Sequence, residues 1–455
     1  MATQTTTPPT KSIPYMPGLP LLGNLTAFNK DRLGFLQNVF QTCGEVGGFH
    51  FGPYSLVMFS ASDHVQSILV EHAEDFKKGE RLRRAFLPVT GNGLFTSEGG
   101  LHRRQRKLMA PVFAPRQIVG YAATMTSYGE RLQAQWQDGT IIDLGREMTH
   151  VTMSIVGKVL FDTDFLKETD ELGSAMQTAL AHVNDAASMP FPLPLSLPLP
   201  RNIRTRQALA TLRQRIQQMI DERRSSALEK EDCLSLLLRA RDEDGRMSDQ
   251  QVFDESLTLF GAGHETTATT LTWAWYLLIT HPDAYEKVQR EVDSVLQGRS
   301  PTYTDLTQLP YTLKVFKETL RLYPPAFATS RTALSNVEIG GYPVRKQETV
   351  LISPYVIHRR ADYFPDPEKF DPERFSPENE KHLPRYAFLP FGAGPRICIG
   401  NHFATMEGHL LLATLAQRVT FDLVSGQNIV AASKVTIRPK DGVKVVVRRR
   451  GVRSE

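Results

Sequence analysis

The sequence predicts a mainly α-helical chain with small β-sheets, an α+β protein. Helical periodicity dominates from about residue 60 to residue 296, where apolar residues recur at the spacing of one helix face. Short apolar segments bounded by glycine and proline, which are typical of strands, cluster near the two ends of the chain. No Gly/Ser linker and no internal repeat divides the 455 residues. Residues 13–455 are therefore expected to form one large domain.

The N-terminal elements follow a Thr- and Pro-rich segment, residues 1–12, that is expected to be a disordered leader. A helix is predicted over Asp31–Thr42 because its apolar residues fall on one face. Strands are predicted over Val46–Phe51 and Leu56–Phe59, since Gly52-Pro53 separates two apolar segments.

One proline-rich segment, Met189–Pro200, interrupts the helical region. Its five prolines exclude a helix, and its leucines and Phe191 make it an apolar loop. Two placements are open: the loop packs flat on the body of the protein, or it dips into a membrane surface. The basic stretch Arg201–Arg206 follows directly, an arrangement suited to an anionic lipid surface.

The second half of the chain is predicted to return to helices and to end in strands. A capping box at Ser248 and Gln251 begins a long helix that continues to about Thr280. The later elements are a helix over Tyr311–Tyr323, a strand-rich segment over Val337–Ser353 with a turn at Gly340-Gly341, an irregular segment over Arg360–Arg385, a helix over Asn401–Arg418 and a hairpin around Asp441-Gly442.

Composition excludes several classes of protein. The 53 basic and 49 acidic residues leave a net charge of +4, which does not indicate a nucleic-acid partner. Three cysteines without a Cys-x-x-Cys pair exclude a disulfide framework and argue against a zinc ribbon or covalently attached haem. Because no apolar run of about 18 residues and no signal core occurs, we expect a cytoplasmic protein without a membrane-spanning helix.

Cys398 lies in a motif with a chemical interpretation, Phe391-Gly392-Ala393-Gly394-Pro395-Arg396-Ile397-Cys398-Ile399-Gly400. The glycines and the proline predict a tight loop, and a helical pattern follows at once. A sulfur at a helix N-terminus is favoured as a thiolate, which is either a nucleophile or a metal ligand. The alternative is a buried, inert cysteine.

This ten-residue segment resembles the cysteine-loop signature of the cytochrome P-450 family, the haem-thiolate monooxygenases. Three further family motifs occur in the right order, so the resemblance covers nearly the whole chain. It implies the cytochrome P-450 fold, a triangular helical prism around a buried haem b. It also implies that Cys398 is the sole protein ligand of the iron, that Phe391 and Gly392 contact the haem, and that Arg396 bonds a propionate.

The second motif, Gly261-Ala262-Gly263-His264-Glu265-Thr266-Thr267, lies inside the long predicted helix. Two glycines there cost about 1 kcal/mol each relative to alanine, so we expect them to make room for a ligand or a notch for a neighbouring helix. Thr266 can bond the carbonyl of Ala262. The resemblance implies that Ala262 and Gly263 contact the haem and that Glu265 and Thr266 are the acid–alcohol pair that delivers protons for oxygen activation. His264 is expected to be packed or solvated.

The third motif is Glu318-Thr319-Leu320-Arg321, whose charged residues are neighbours on a helix. An exposed pair would contribute well under 1 kcal/mol. The resemblance implies instead a buried network with Arg374, in which an orphaned charge would cost several kcal/mol. The role is structural.

The fourth motif, His102-Arg103-Arg104-Gln105-Arg106-Lys107, is either a solvated basic face or a cofactor contact. The resemblance implies that Arg106 and Arg331 bond haem propionates. His102 stands where the family usually has tryptophan, and an imidazole N–H can still donate to a carboxylate.

The resemblance implies a monooxygenase that inserts one atom of O2 into a hydrophobic substrate, by hydroxylation or epoxidation of a fatty acid, terpenoid or steroid-like molecule. Electrons are expected from NAD(P)H through a separate ferredoxin or flavodoxin and its reductase, docked on Arg103, Arg104 and Lys107. The loop 189–200 is expected over the substrate entrance, with peripheral membrane contact, and the protein is expected to be a monomer. Two alternatives remain: a peroxide-using or peroxide-rearranging haem-thiolate enzyme, and a non-enzymatic haem sensor.

Overall fold

A computed structural model describes residues 11–165, 168–189, 192–226, 230, 232–242 and 245–451. Residues 1–10 of the predicted leader, and 190–191 of the proline-rich loop, lie outside this part of the chain. Helices dominate and the strands form small sheets, so the predicted mainly α class is confirmed. In the described part of the chain, no helix is both long enough and apolar enough to cross a membrane.

The α-helices contain most of the ordered residues and most of the core. In chain order they are α1 (Leu25–Lys30), α2 (Arg32–Cys43), α3 (Ser62–Gln66), α4 (Glu80–Thr90), α5 (Gly99–Met109), α6 (Pro115–Ala134), α7 (Leu144–Phe161), α8 (Thr169–Ser188), α9 (Pro200–Ser225), α10 (Cys233–Arg239), α11 (Asp249–Thr280), α12 (Pro282–Leu296), α13 (Pro310–Leu322), α14 (Pro354–Ile357), α15 (Pro377–Glu380) and α16 (Asn401–Arg418). Short 3₁₀ turns include Pro372–Phe375 and Gly394–Arg396.

The strands are short and fall into separate sheets. They are β1 (Val46–Phe51), β2 (Tyr54–Phe59), β3 (Phe76–Lys78), β4 (Ile141–Asp143), β5 (Arg241–Asp242), β6 (Gly245–Arg246), β7 (Thr329–Ala333), β8 (Val337–Ile339), β9 (Tyr342–Val344), β10 (Thr349–Ile352), β11 (Val419–Leu423), β12 (Ala431–Ser433), β13 (Ile437–Pro439) and β14 (Lys444–Arg449). The largest sheet has the order β1-β2-β10-β7-β3, and a second has the order β11-β14-β4.

Helix α11 is the central element of the core. It begins with the predicted capping box, in which Ser248 Oγ accepts from the Gln251 N–H and the Gln251 side chain accepts from the Ser248 N–H. Its 32 residues span about 48 Å at 1.5 Å per residue. Helices α7, α13 and α16 pack against it, and it is buried on both sides of its middle turn.

The predicted hairpin around Asp441-Gly442 is wrong. Strand β13 before this turn pairs with β12, whereas β14 after it pairs with β11 and β4. A Cβ atom on Gly442, at φ +76°, would lie 2.1 Å from Asp143 Oδ2. The glycine therefore allows a close approach to β4 and passes the chain from one sheet to another.

Candidate active site

The cysteine loop places Cys398 just before α16. Its backbone N–H donates to the Phe391 carbonyl at 2.9 Å. Gly394, at φ +68°, lies against the chain at Leu69, where a Cβ atom would come 1.8 Å from the carbonyl oxygen. The Cys398 side chain is exposed, yet protein surrounds it closely enough for burial to raise the pKa of its thiol. Both observations hold for a sulfur that borders a cavity inside the protein.

The electrostatics of Cys398 differ in part from the sequence-based expectation. The Gly400 N–H and the Arg106 guanidinium lower the pKa of the thiol, as a helix N-terminus should, but desolvation is the larger effect and the net direction is upward. Further positive charge at the sulfur, such as a bound metal ion, would favour the thiolate. Arg106 also holds the loop directly, since its Nη1 donates to the Ile397 carbonyl at 2.7 Å.

Basic side chains adjoin the cysteine loop, and we call them the cationic cluster: Lys78, Arg106, Arg331 and Arg396, together with His102, whose lowered pKa leaves its imidazole neutral near pH 7. Lys78, His102 and Arg331 are buried, at 9%, 6% and 8% exposure. Burial and the neighbouring cations lower the pKa of His102 to about 4 and that of Arg331 to about 10. Desolvation is the larger cause of both shifts and repulsion by neighbouring cations the smaller one, so an anionic group among these side chains would be stabilised.

Within the described residues, one carboxylate pairs with this cationic cluster. Glu98 pairs with Arg396 and accepts the Lys78 backbone N–H at 2.9 Å. Arg396 also donates from both Nη atoms to the Ser97 carbonyl at 3.1 Å. Several buried or half-buried cations thus share a single acidic partner.

These residues fit haem b. A ring that carries propionates supplies anionic charge to the cationic cluster, and its iron supplies positive charge at the Cys398 sulfur. Two residues of the fourth motif belong to this cluster: His102 is buried, and Arg106 and Arg396 lie close enough to lower its pKa.

The middle turn of α11 opens onto internal space. Ala262 is exposed and Thr266 is partly exposed, although the helix is buried before Gly261 and after Thr266. Thr266 Oγ1 donates to the Ala262 carbonyl at 3.1 Å, as the sequence predicted. A helix surface that is accessible in the middle of a buried helix borders a cavity.

The two glycines of this motif are explained by helix packing. A Cβ atom on Gly263 would lie 2.9 Å from Val156 of α7, and one on Gly261 would lie 3.2 Å from Met176 of α8. Of the two alternatives, the contacts favour the notch for neighbouring helices over room for a ligand. Ala262 rather than a glycine faces the open space.

Glu265 and His264 point away from that space. Thr436 Oγ1 donates to Glu265 Oε1 at 3.0 Å, and Arg438 lies 3.9 Å from the same oxygen. Both partners belong to the segment that contains β13. His264 is 1% exposed and its Nδ1 lies 2.7 Å from the Phe260 carbonyl. It is packed in the core, as expected.

The Glu-x-x-Arg pair is fully buried, as expected. Glu318 and Arg321 are 0% exposed and form a bidentate pair at 2.6 and 2.8 Å. Arg321 gives its remaining donors to the carbonyls of His358, Pro367 and Lys369. Arg374 lies 3.5 Å from Glu318. All five guanidinium N–H groups of Arg321 are therefore bonded.

His358 joins this network to the cysteine loop, and sequence reasoning missed it. Its Nε2 accepts the Leu389 N–H at 3.0 Å, and its Nδ1 lies 3.3 Å from the Arg321 carbonyl. Burial and Arg321 lower its pKa to about 3, so the imidazole is neutral with Nδ1 protonated. Lys78 of the cationic cluster and its acidic neighbour Glu98 were also missed. No local motif marks these three residues.

One expectation about the electron-donor face needs correction. Arg104, expected to face outward, donates to the carbonyls of Gly245 and Arg246. Arg103 pairs with Glu74 at 3.2 Å, with both side chains exposed. Helix packing and side-chain reach decided these placements.

Comparison with known proteins agrees with this geometry. The model of the Cytochrome P450 family matches residues 13–445. Cyclooctatin synthase from Streptomyces melanosporofaciens is 38% identical over 416 residues, which cover 90% of each chain. Cyclooctat-9-en-7-ol 5-monooxygenase from the same organism is 34% identical over 414 residues, again 90% of each chain. Pentalenene oxygenase from Streptomyces avermitilis is 34% identical over 410 residues, 89% of this chain and 90% of its own.

The haem sensor considered from the sequence is therefore set aside, because these relatives are named for oxygenation and synthesis. Haem is the cofactor that the family match implies. From the cysteine loop, the buried cations beside it and a match over nearly its whole length, the chain belongs to the cytochrome P450 family and is a haem-dependent monooxygenase.

Proposed function

We propose that this monooxygenase oxidises a terpenoid, by hydroxylation or epoxidation, with Cys398 as the ligand of the haem iron. The observation that carries the assignment of the site is the accessible middle turn of α11, where Thr266 and Ala262 border a cavity in an otherwise buried helix. Support for the substrate class comes from two relatives over about nine tenths of the chain, whose names specify cyclooctat-9-en-7-ol and pentalenene.

The haem, when bound, supplies the activation of O2. His102, Arg106, Arg331 and Arg396 hold its propionates, and Phe391, Gly392, Ala262 and Gly263 are its proposed contacts in the cysteine loop and on α11. Arg106 fixes the Ile397 carbonyl next to the ligand. The cationic cluster would orient the propionates through charge-assisted hydrogen bonds.

Thr266 and Glu265 deliver protons in this proposal. The Thr266 hydroxyl is held on the Ala262 carbonyl, so its oxygen can accept from a water and orient it in the cavity. Glu265 faces Thr436 and Arg438 on the opposite side of the helix. Because Arg438 lines a surface cleft, this segment is the proposed route by which protons reach Glu265 from solvent.

A substrate panel tests the terpenoid assignment. Substrate entry into the haem cavity is read from the change in the Soret absorbance of the holoenzyme during titration. We expect pentalenene or cyclooctat-9-en-7-ol to saturate this change at lower concentration than dodecanoate or a steroid. Tighter binding of the fatty acid or the steroid, with product formed from it, would contradict the terpenoid proposal while leaving the haem site intact.

We propose a separate acidic redox protein, a ferredoxin or flavodoxin fed by NAD(P)H, as the electron donor. The exposed cations Arg103 and Lys107 on α5 support this docking face, whereas Arg104 is engaged within the protein. Charge pairing weakens with salt. Lys107→Glu should slow reduction at low salt, and Lys346→Glu, a matched exposed lysine elsewhere, should not. Equal rates in the two variants would contradict this face.

The proline-leucine loop supports a proposed peripheral membrane contact. Leu193 and Leu197 are 48% and 39% exposed, while Asn202 and Arg206 bond the loop carbonyls and hold it against α9. We expect Leu193→Ser with Leu197→Ser to reduce flotation with anionic liposomes. Leu334→Ser is the control, because Leu334 is 44% exposed. Unchanged flotation in the loop variant would remove the membrane contact.

A further inference from the structure

A surface cleft of about 490 Å³ opens between α8, α9 and the β12–β13 hairpin. Its volume falls within the range of small-molecule sites, about 300–1,000 Å³. The lining mixes apolar and polar residues, and its charged side chains are basic except for Asp185. The cations that line it are Arg201, Arg204, Lys434, Arg438 and Lys440.

The positive charge of the cleft is weakly compensated. Arg201 approaches Asp185, and Arg438 approaches Glu265, at 3.9 Å in each case, which is too long for a hydrogen-bonded pair. Among the residues that the structure describes, Arg204, Lys434 and Lys440 have no acidic partner. The cleft therefore carries positive charge that the described carboxylates do not neutralise at hydrogen-bonding distance.

The guanidinium of Arg438 strengthens the case for a ligand. The Arg438 side chain is 24% exposed, and its nearest acidic oxygen, on Glu265, lies 3.9 Å away. A partly exposed guanidinium beside other unpaired cations is suited to a carboxylate or phosphate.

We propose that this cleft binds the anionic group of a small or amphipathic molecule, a carboxylate or a phosphate, and that Arg438 is shared between that anion and Glu265. Lys434, Lys440 and Arg204 supply the remaining charge. The Arg438 side chain lies between the cleft and Glu265 of α11. An anion that attracts Arg438 weakens the ion pair between Arg438 and Glu265. Anion binding in the cleft and the strength of this ion pair therefore affect each other.

Inorganic phosphate is the first probe. Phosphate should raise the thermal midpoint of the holoenzyme above that in chloride of equal ionic strength, because a ligand that binds the native state stabilises it. Lys434→Gln with Lys440→Gln should raise the phosphate Kd about three- to tenfold. The control, Lys346→Gln with Lys381→Gln, removes the same charge from exposed sites outside the cleft and should leave the Kd unchanged.

Vesicles distinguish the source of the anion. If the ligand is a lipid headgroup, the cleft variant should lose binding to phosphatidylglycerol vesicles while the control variant keeps it. If the ligand is a free molecule, both variants should bind these vesicles alike and only the phosphate Kd should change. Equal behaviour of cleft and control variants toward both phosphate and vesicles would overturn the anion site.

The sharing of Arg438 has its own test. Glu265→Gln removes the carboxylate that competes for Arg438, so it should tighten phosphate binding about threefold, the scale of one exposed charge pair. Binding is read from the thermal midpoint and does not require turnover. The same phosphate Kd in Glu265→Gln and in the wild type would overturn the coupling.

Discussion

Glu265 and Thr266 are consecutive residues whose side chains lie on different sides of α11. The Thr266 hydroxyl bonds within α11 at the edge of the cavity, whereas the Glu265 carboxylate bonds to Thr436 behind the helix. The sequence could place the hydroxyl, because a bond to the carbonyl four residues earlier is local. It could not place the carboxylate, since Thr436 and Arg438 arrive from a distant part of the chain.

Thr266→Ala should leave haem binding intact and uncouple electron use from product formation. Without the hydroxyl, more hydrogen peroxide is released per NAD(P)H oxidised, and product formation falls toward the roughly 10²-fold loss typical of a missing proton-transfer group. Thr272→Ala is a matched control, because Thr272 makes the same type of bond, to Ala268 at 2.7 Å, in a buried turn of α11. Unchanged coupling in Thr266→Ala would mean that protons arrive by another route.

Glu255 provides a pH-dependent test at the residue scale. It is 0% exposed and accepts the Leu94 N–H at 2.8 Å, and burial raises its pKa to about 8. The folded state therefore retains a proton that the unfolded chain loses above its ordinary pKa of about 4.3. Stability from this group is complete below that value and falls as pH rises toward about 8.

Glu255→Gln removes this titration while an amide oxygen can still accept the Leu94 N–H. We expect the urea midpoint of the variant to decline less between about pH 5 and pH 8 than that of the wild type. Glu286→Gln, an exposed glutamate on α12 with 67% side-chain exposure, should leave the decline unchanged. Parallel curves for wild type and Glu255→Gln would show that Glu255 is ionised in the folded protein.

At the scale of elements, α13 supports the cysteine loop through a chain of bonds. Glu318 and Arg321 pair inside the protein, Arg321 bonds the His358 carbonyl, and His358 accepts the Leu389 N–H just before the loop. The pair itself could be predicted because its two residues are neighbours on one helix. His358 could not, since a lone histidine carries no periodic or motif signal.

Glu318→Ala or Arg321→Ala should each cost about 3–5 kcal/mol, because each leaves a buried charge without its partner. Little soluble holoprotein is expected, measured as haem per protein after purification. Lys317→Ala on the same helix breaks a partly exposed pair with Glu380 and should cost less than about 1 kcal/mol. Normal haem content in both α13 variants would contradict the network's role.

Element boundaries show where local signals suffice. Strand β1 and helix α16 begin and end at the residues that the sequence predicts, because glycine, proline and cap residues mark them. Strands β3 and β7 were missed, since three to five residues are too few for a periodic pattern. Their pairing with each other and with β10 depends on tertiary packing.

At the scale of the whole molecule, the site is assembled from distant segments that bring together more cations than carboxylates. The cysteine loop, α5, β3 and β7 each contribute basic residues to the cationic cluster. In the described structure, Glu98 is its one acidic partner. The sequence could predict the members that lie in motifs. Lys78 could not be predicted, because only the fold places β3 beside the loop.

One claim explains both the excess of cations and the position of the Cys398 sulfur: the chain binds haem through a cysteine thiolate. The measurement is the Soret band of the reduced, CO-bound holoprotein, at the position given by thiolate ligation. Cys398→His keeps an axial ligand and should retain haem but lose this band, while Cys43→Ala, at a cysteine that lies outside the loop, should keep both haem and band. A thiolate band that persists in Cys398→His, or is lost in Cys43→Ala, would contradict the account.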